Sequence, residues 1–146
     1  MVQNFDALLL QNQLCFPLYA CSREIIKRYR PHLDALGLTY TQYIVMIVVW
    51  AEGTVSVRDL GKQLFLDSGT LTPVLKTLEK TGLITRNRSK EDERVLLIST
   101  TAQGIALREK ALSIPQNMAC CLKLSQEDRA TLHRLLYQVL ADCREE

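Results

Sequence analysis

The residues of this sequence that could carry covalent chemistry are its five cysteines, at positions 15, 21, 120, 121 and 143. None of their spacings is the C-x-x-C pattern of a zinc site or a dithiol redox pair, and the set does not resemble the disulfide framework of a small secreted domain. We therefore expect no metal site and no cofactor. What remains is the chemistry of free thiols.

Cysteine reacts as its thiolate, and Cys15 is placed where a thiolate is favoured. Asn12 is a possible helix cap just before it, and the apolar pattern that follows predicts a long amphipathic helix from about residue 12 to 30. Pro17 fits only in the first turn of this helix, and Pro31 is expected to end it. The positive end of the helix dipole would stabilise a thiolate at Cys15. An inert cysteine that packs as a small hydrophobe is the alternative.

The elements that must serve this thiol are organised around residues 56–100, which predict a helix, a turn, a second helix and a two-stranded hairpin. Ser56 with Asp59 forms a capping pattern for the first helix, and Asp67 or Ser68 can cap the second. The second helix has one buried stripe, formed by Leu71, Val74, Leu75 and Leu78.

Gly82 ends the second helix, at a position where the left-handed conformation is needed. Residues 84–88 and 94–100 are strand-like, and the polar run between them is a loop tip. A helix with small, polar or basic residues in its exposed first turns, followed by a basic hairpin, matches the geometry for binding duplex DNA. The helix would enter the major groove, and the hairpin would reach the backbone or the minor groove.

Charge supports this interpretation only weakly. Residues 54–96 contain eight Lys or Arg against six Asp or Glu, a net of +2. The order of the elements therefore carries the prediction, and a solvated helix and hairpin without a partner is the alternative.

Composition predicts one globular domain over residues 1–146, since the chain is 47% hydrophobic and long enough to bury a core. There is no signal peptide and no apolar run of about 20 residues, so we expect a cytoplasmic protein without a membrane contact. Thr39 is expected to begin a buried helix that is apolar all round. Thr101 begins another helix, which Pro115 kinks or breaks, and Ser125 caps the last.

The terminal segments, residues 1–37 and 101–146, have more apolar helical surface than a small winged domain can cover. We expect them to be dimerisation elements, and residues 54–100 to bind DNA. A symmetric homodimer would present two recognition helices about 34–36 Å apart to a pseudo-palindromic operator in double-stranded DNA.

The wing sequence DERVLLIST after LDSGTLTPVLKTLEKTGLITR resembles the MarR family of winged-helix regulators. NQLCFPLYA near the start of the chain and LTYTQY further on are similar to the organic-hydroperoxide-sensing, OhrR-like branch of that family. The resemblance runs from about residue 12 to about residue 120. It implies a mostly α-helical fold with a small β wing, assembled as a homodimer.

The same resemblance implies roles for residues around the thiol. Cys15 matches the peroxide-sensing cysteine, and Tyr29 and Tyr40 match two tyrosines that hydrogen-bond to it in the reduced protein, with Tyr19 nearby. A phenol that donates to sulfur would stabilise the thiolate, and an apolar rim of Phe16 and Leu18 would suit an organic hydroperoxide. Pro17 departs from the leucine-like or alanine-like residue expected there.

Some members of the branch have a second, resolving cysteine on the penultimate helix of the other subunit, after an Ile/Val-Pro segment. Ile114-Pro115 followed by Cys120 and Cys121 is similar to that arrangement. Cys120 fits the position better and Cys121 competes with it.

The family also implies which residues touch DNA, at the start of the recognition helix and in the wing. Asp92 would orient the wing arginine, and Arg86 and Arg88 would add phosphate contacts. The expected set is Ser68, Thr70, Thr72, Pro73, Lys76, Arg86, Arg88, Asp92 and Arg94.

The sequence thus predicts a repressor, not an enzyme, that leaves its operator when an organic hydroperoxide oxidises Cys15 and a disulfide to Cys120 follows. One alternative is a MarR-type regulator that responds to a phenolic ligand while Cys15 stays inert. A second is a thiol peroxidase, which would leave the helix-turn-helix and wing without a purpose.

Overall fold

A computed structural model describes residues 5–144 of the chain, with the Phe5 side chain excepted. Two short 3-10 turns, Phe5–Leu8 and Leu10–Asn12, precede the main elements. These are α1 (Cys15–Asp34), α2 (Tyr40–Glu52), β1 (Thr54–Ser56), α3 (Val57–Leu64), α4 (Ser68–Lys80), β2 (Ile84–Arg88), β3 (Leu96–Thr100), α5 (Ala102–Ala111), α6 (Ile114–Ala119) and α7 (Gln126–Asp142). The chain divides into two compact units, one up to Ile114 and one from Pro115 onward.

Helix α1 begins later and ends later than the sequence predicted. Cys15 is its first residue, so Pro17 falls in the first turn, where its missing N–H costs nothing. The expected end at Pro31 is wrong, because the helix continues to Asp34. The extra turn buries Leu33, which is 2% exposed, and this packing offsets the hydrogen bond that Pro31 cannot donate.

Helix α2 is the centre of the core, as its apolar sequence predicted. The Thr39 hydroxyl accepts from the Gln42 N–H at 3.3 Å and the Gln42 side chain accepts from the Thr39 N–H at 2.9 Å, which completes the capping box. Val45, Met46 and Val49 are fully buried. Ile47 is 43% exposed, so the helix is not buried all round.

The helix-turn-helix is held by the caps that the sequence indicated. The Ser56 hydroxyl accepts from the Asp59 N–H at 3.0 Å at the start of α3, and Asp67 accepts from the Thr70 N–H at 2.8 Å at the start of α4. Gly61 lies against the turn, where a Cβ would sit 2.7 Å from the Leu66 carbonyl oxygen. Only glycine permits this close approach between helix and turn.

Helix α4 ends in a Schellman motif at Gly82, whose φ is +76°. The Gly82 N–H donates to Glu79 O at 2.9 Å, and the Leu83 N–H donates to Leu78 O at 3.0 Å. Leu83, 6% exposed, supplies the apolar contact of the motif. The helix therefore stops at a fixed point and delivers the chain directly into β2.

The wing is part of a three-stranded antiparallel sheet of order β1-β3-β2. The sequence predicted only the two strands of the hairpin, β2 and β3, and missed β1. β1, only three residues long, pairs with β3, with Val55 opposite Ile98. In the β2 pairing, Arg86 lies opposite the same Ile98, which is fully buried. β3 begins at Leu96, two residues after the predicted start, because Arg94 belongs to the loop.

The last three helices follow the predicted punctuation. The Thr101 hydroxyl accepts from the Gly104 N–H at 3.0 Å at the start of α5, and Ser125 accepts from the Asp128 N–H at 3.0 Å at the start of α7. Pro115 lies in the first turn of α6, so the chain breaks into two helices before it. Among residues 5–144 no helix has both the length and the apolar character that crossing a membrane requires.

The apolar stripe of α7 is uncovered. Leu132, Leu135, Leu136, Val139 and Leu140 are between 37% and 45% exposed. A contiguous apolar face of this kind on one chain indicates a surface that another protein surface covers.

We predict that Gly61→Ala destabilises the fold by about 1–3 kcal/mol, since the new Cβ meets a backbone oxygen that no rotamer change can move. Urea unfolding followed by circular dichroism measures the effect. Gly69→Ala is the matched control, because its Cβ meets only the flexible Asp67 carboxylate, at 3.0 Å. Equal stabilities for the two variants would contradict the close approach.

Candidate functional site

The exposed face of α4 is built by its cap. The pKa of Asp67 is held below its ordinary value, mainly by the hydrogen bond from the Thr70 backbone N–H and next by the one from the Thr70 hydroxyl. The cap therefore stays ionised at neutral pH. Leu71, Leu75 and Leu78 anchor the opposite side, each 1% exposed. All five α4 residues expected to contact DNA are exposed, namely Ser68, Thr70, Thr72, Pro73 and Lys76.

The loop of the wing presents one arginine in a fixed pose. Arg94 Nε donates to Asp92 Oδ1 at 3.1 Å and Arg94 Nη2 donates to Asp92 Oδ2 at 3.2 Å, a two-point pairing. The Arg94 side chain and backbone N–H together lower the pKa of Asp92. Asp92 thus pairs with Arg94, and the arginine side chain remains 90% exposed.

The other two wing arginines have different surroundings. Arg86 bonds to Glu79 Oε2 through Nε at 2.8 Å and through Nη2 at 2.7 Å, and its side chain is 23% exposed. It therefore joins β2 to α4, which favours a structural role over a phosphate contact. Arg88 is exposed and donates to Glu93 O at 2.9 Å within the wing. Glu79 was not singled out from the sequence, since its partner lies across the helix end.

Cys15 occupies the first position of α1 and its side chain is exposed. Phe16, 41% exposed, and the half-buried Leu18 lie on either side of Pro17 in the sequence and provide the expected apolar neighbours. Within the described part of the chain, the Cys15 sulfur makes no hydrogen bond. The thiol is thus open to reagents and lacks its predicted phenol donors in a single chain.

The tyrosines that should serve Cys15 form a cluster elsewhere. The Tyr29 and Tyr40 rings lie edge to face with centroids 5.0 Å apart, and Tyr43 stands 5.9 Å from Tyr29. Burial, and next the neighbouring phenol, raises the pKa of all three, so their hydroxyls stay protonated and able to donate. Tyr43 was missed from the sequence, although its spacing from Tyr40 on one helix could have indicated it.

Helix geometry separates this cluster from the thiol of its own chain. Tyr29 follows Cys15 by fourteen residues on the same helix, which is roughly 21 Å along the axis at 1.5 Å per residue. That is farther than the two side chains can reach together. Tyr19, one turn from Cys15, is 58% exposed and accepts from Arg23 Nη1 at 3.1 Å. A tyrosine-to-sulfur hydrogen bond from Tyr29 therefore requires a second chain.

The two candidate resolving cysteines follow α6 directly. The Cys120 side chain is exposed. The Cys121 side chain is half-buried, and its Sγ donates to Asn117 O at 3.4 Å. The two adjacent thiols thus have different surroundings.

A capped helix-turn-helix, an exposed polar second helix and a wing with a fixed arginine define the class of winged-helix transcriptional regulators. Residues 23–111 match the family model described as "Transcriptional regulator SarA/Rot". The organic hydroperoxide resistance transcriptional regulator of Bacillus subtilis is 51% identical over 140 residues, 96% of this chain and 95% of that protein. The chain belongs to the MarR/SarA family of winged-helix transcriptional regulators, in the branch of the organic hydroperoxide regulators.

Solved structures agree with the predicted fold class. Reduced AbfR bound to DNA, from Staphylococcus epidermidis, is 33% identical with a TM-score of 0.77, covering 94% of this chain and 96% of that one. A disulfide form of AbfR, also 33% identical, has a TM-score of 0.65 and covers 92% and 95%. A MarR variant from E. coli complexed with operator DNA, 24% identical, shares the fold with a TM-score of 0.82, covering 94% and 99%.

Proposed function

We propose that this chain is a homodimeric, redox-sensing repressor that binds its operator while Cys15 is reduced and leaves it after Cys15 is oxidised by an organic hydroperoxide. The observation that carries the proposal is the exposed Cys15 thiol at the first position of a 20-residue helix, in a chain that also presents a DNA-reading helix and wing. Its AbfR relative is known in a reduced, DNA-bound form and in a disulfide form, which supports the same cycle here.

The sensing step is a transfer of one oxygen atom. The Cys15 sulfur attacks the terminal oxygen of the hydroperoxide, the O–O bond breaks, and the products are the Cys15 sulfenic acid and an alcohol that keeps the displaced oxygen. The attacking species is the thiolate, and Phe16 and Leu18 favour an apolar peroxide. Each Cys15 thiol is oxidised once per cycle, so the reaction serves as a signal and not as enzymatic turnover.

The phenols act across the dimer. Because Tyr29 and Cys15 lie near opposite ends of α1, antiparallel α1 helices of two chains would bring each Cys15 to the Tyr29 and Tyr40 of its partner. Their hydroxyls, kept protonated by burial, would then donate to the sulfur and stabilise the thiolate. Tyr19, already bonded to Arg23, would complete the surroundings.

The second step is resolution by Cys120 of the other subunit. The Cys120 sulfur attacks the Cys15 sulfenic sulfur, a disulfide forms and water leaves. Cys120 is favoured over Cys121 because it is exposed, whereas the Cys121 thiol is half-buried and donates a hydrogen bond to Asn117 O. A disulfide demands Cα atoms within about 7 Å. If Cys15 and the partner's Cys120 lie farther apart than this in the reduced dimer, forming the bond would move the helices that space the two DNA readers.

DNA binding uses α4 in the major groove and the wing beside it. Ser68, Thr70, Thr72, Pro73 and Lys76 offer close polar contacts, and Arg94 and Arg88 offer cations to phosphates. The exposed α7 stripe supplies the dimer surface, and the dimer sets the spacing of a pseudo-palindromic site. A coupling of about 3 kcal/mol between oxidation and DNA affinity would change affinity roughly 150-fold. The site of action is the cytoplasm, where the operator DNA lies.

We predict that Cys15→Ser binds operator DNA like the wild type but stays bound after treatment with cumene hydroperoxide, in fluorescence anisotropy. Cys21→Ser, another exposed cysteine of α1, should release normally. Release of Cys15→Ser by peroxide would sink the sensor assignment. Release by a phenolic compound from thiol-blocked protein would instead favour ligand regulation, and steady peroxide turnover with a thiol reductant and no operator binding would favour a peroxidase.

Mixed dimers test whether the phenols act across the interface. One chain carries Cys15→Ser and the other carries Tyr29→Phe with Tyr40→Phe, so the only remaining Cys15 faces wild-type tyrosines in its partner. We expect this dimer to form the sulfenic acid at the wild-type rate per thiol, measured by dimedone labelling. The matched control is the mixed dimer with all three changes on one chain and none on the other. Its only Cys15 then faces the two substituted positions of its partner, and it should react more slowly. Slow labelling in the first mixed dimer would place the tyrosines in the same chain as their cysteine.

Arg94→Ala should weaken binding to operator and unrelated DNA alike and reduce the slope of log affinity against log salt by about 1, the loss of one phosphate contact. Titrations at several salt concentrations measure the slope. Arg108→Ala, a matched loss of charge from the exposed face of α5, should leave it unchanged. An unchanged slope for Arg94→Ala would argue against a wing contact with phosphate.

A further inference from the structure

One arginine organises the segment that carries the two resolving candidates. Arg129 is in the first turns of α7, and its guanidinium donates to three backbone oxygens. Nη2 donates to Ala119 O and to Leu122 O, each at 2.6 Å, and Nε donates to Leu124 O at 3.3 Å. The contacts join the last residue of α6 to both halves of the connection that leads into α7.

The connection over residues 120–124 has no regular secondary structure to fix its conformation. Its carbonyl groups would otherwise be left to solvent, as the last carbonyls of a helix generally are. A guanidinium is suited to this task because it carries five donors in a rigid plane. In the part of the chain that the structure describes, no carboxylate pairs with Arg129, so these carbonyls are its partners.

The conformation that Arg129 holds gives the adjacent thiols their different surroundings. The Cys120 N–H donates to Gln116 O at 3.3 Å and the Cys121 N–H donates to Met118 O at 3.1 Å, which continues the turn of α6. The Cys121 side chain is thereby directed back to Asn117 O, at 3.4 Å, while Cys120 stays exposed. Without the three contacts, the segment would be free to exchange which thiol faces outward.

We propose that Arg129 is a positioning residue for the resolving step, holding residues 120–124 so that Cys120 is presented to the oxidised Cys15 and Cys121 is withheld. The part that concerns disulfide formation rests on the proposed redox function. The part that concerns thiol exposure does not, and it can be tested without any peroxide.

The first test alkylates reduced protein with iodoacetamide and locates the label by fragmentation mass spectrometry. In the wild type, Cys120 should be labelled about tenfold faster than Cys121. This is the difference expected when one hydrogen bond, donated by the Cys121 thiol, must break before that thiol reacts. Arg129→Gln should bring the two rates close together, and Arg129→Lys, which keeps the charge but not the fork, should fall between. Arg134→Gln, an exposed arginine of the same helix, is the control and should match the wild type. A labelling ratio unchanged by Arg129→Gln overturns the proposal, and if that variant fails to fold, Arg129→Lys decides alone.

The second test separates sensing from resolution after one equivalent of cumene hydroperoxide. Arg129→Gln should form the Cys15 sulfenic acid at the wild-type rate and bind DNA normally when reduced, yet form the intersubunit disulfide about tenfold more slowly. A merely structural role would move all three readouts together. A wild-type disulfide rate in Arg129→Gln overturns the proposal. If the wild type forms no disulfide at all, the proposed resolving step fails, and the alkylation ratio still judges Arg129.

Discussion

The length of α1 is the constraint on which the rest of the molecule depends. A helix of 20 residues holds Cys15 at one end and Tyr29 near the other, and its rise fixes them roughly 21 Å apart. The Cys15 thiol therefore cannot receive a hydrogen bond from Tyr29 of its own chain. The same rigidity that separates the groups would let a second, antiparallel copy bring them together, so sensing and dimerisation become one requirement.

The DNA-reading half of the chain is rigid for a different reason. Each of its junctions is closed by a specific hydrogen bond or a glycine, from the Asp67 cap to the Schellman ending at Gly82 and the pairing of Asp92 with Arg94. The bond between Arg86 and Glu79 then ties the wing to α4. Because this bond joins the wing to α4, a change in the spacing of these elements between two chains would alter DNA binding as a whole.

Peroxide sensing places opposite demands on the thiol and on the groups that tune it. The thiol must be exposed to meet a peroxide, whereas the polar groups that tune it work best when partly buried, as the raised pKa values of the tyrosines indicate. The proposed division of thiol and phenols between two chains would satisfy both demands. Near the other end of the chain, Arg129 bonds to the backbone carbonyls of an irregular segment, in which the Cys120 thiol is exposed.

Local signals in the sequence determined much of this protein. The caps at Thr39, Ser56, Asp67 and Ser125 and the stop at Gly82 act within a few residues of themselves, so their types and spacing suffice to predict them. Tertiary structure decided what joins distant residues. The β1 strand exists because three residues pair with β3, α1 continues through Pro31 because Leu33 packs in the core, and Arg86 bonds to α4 because Glu79 lies across the helix end. In each case, a contact between different elements supplied the free energy, and no local pattern encodes where the chain will bring the partner.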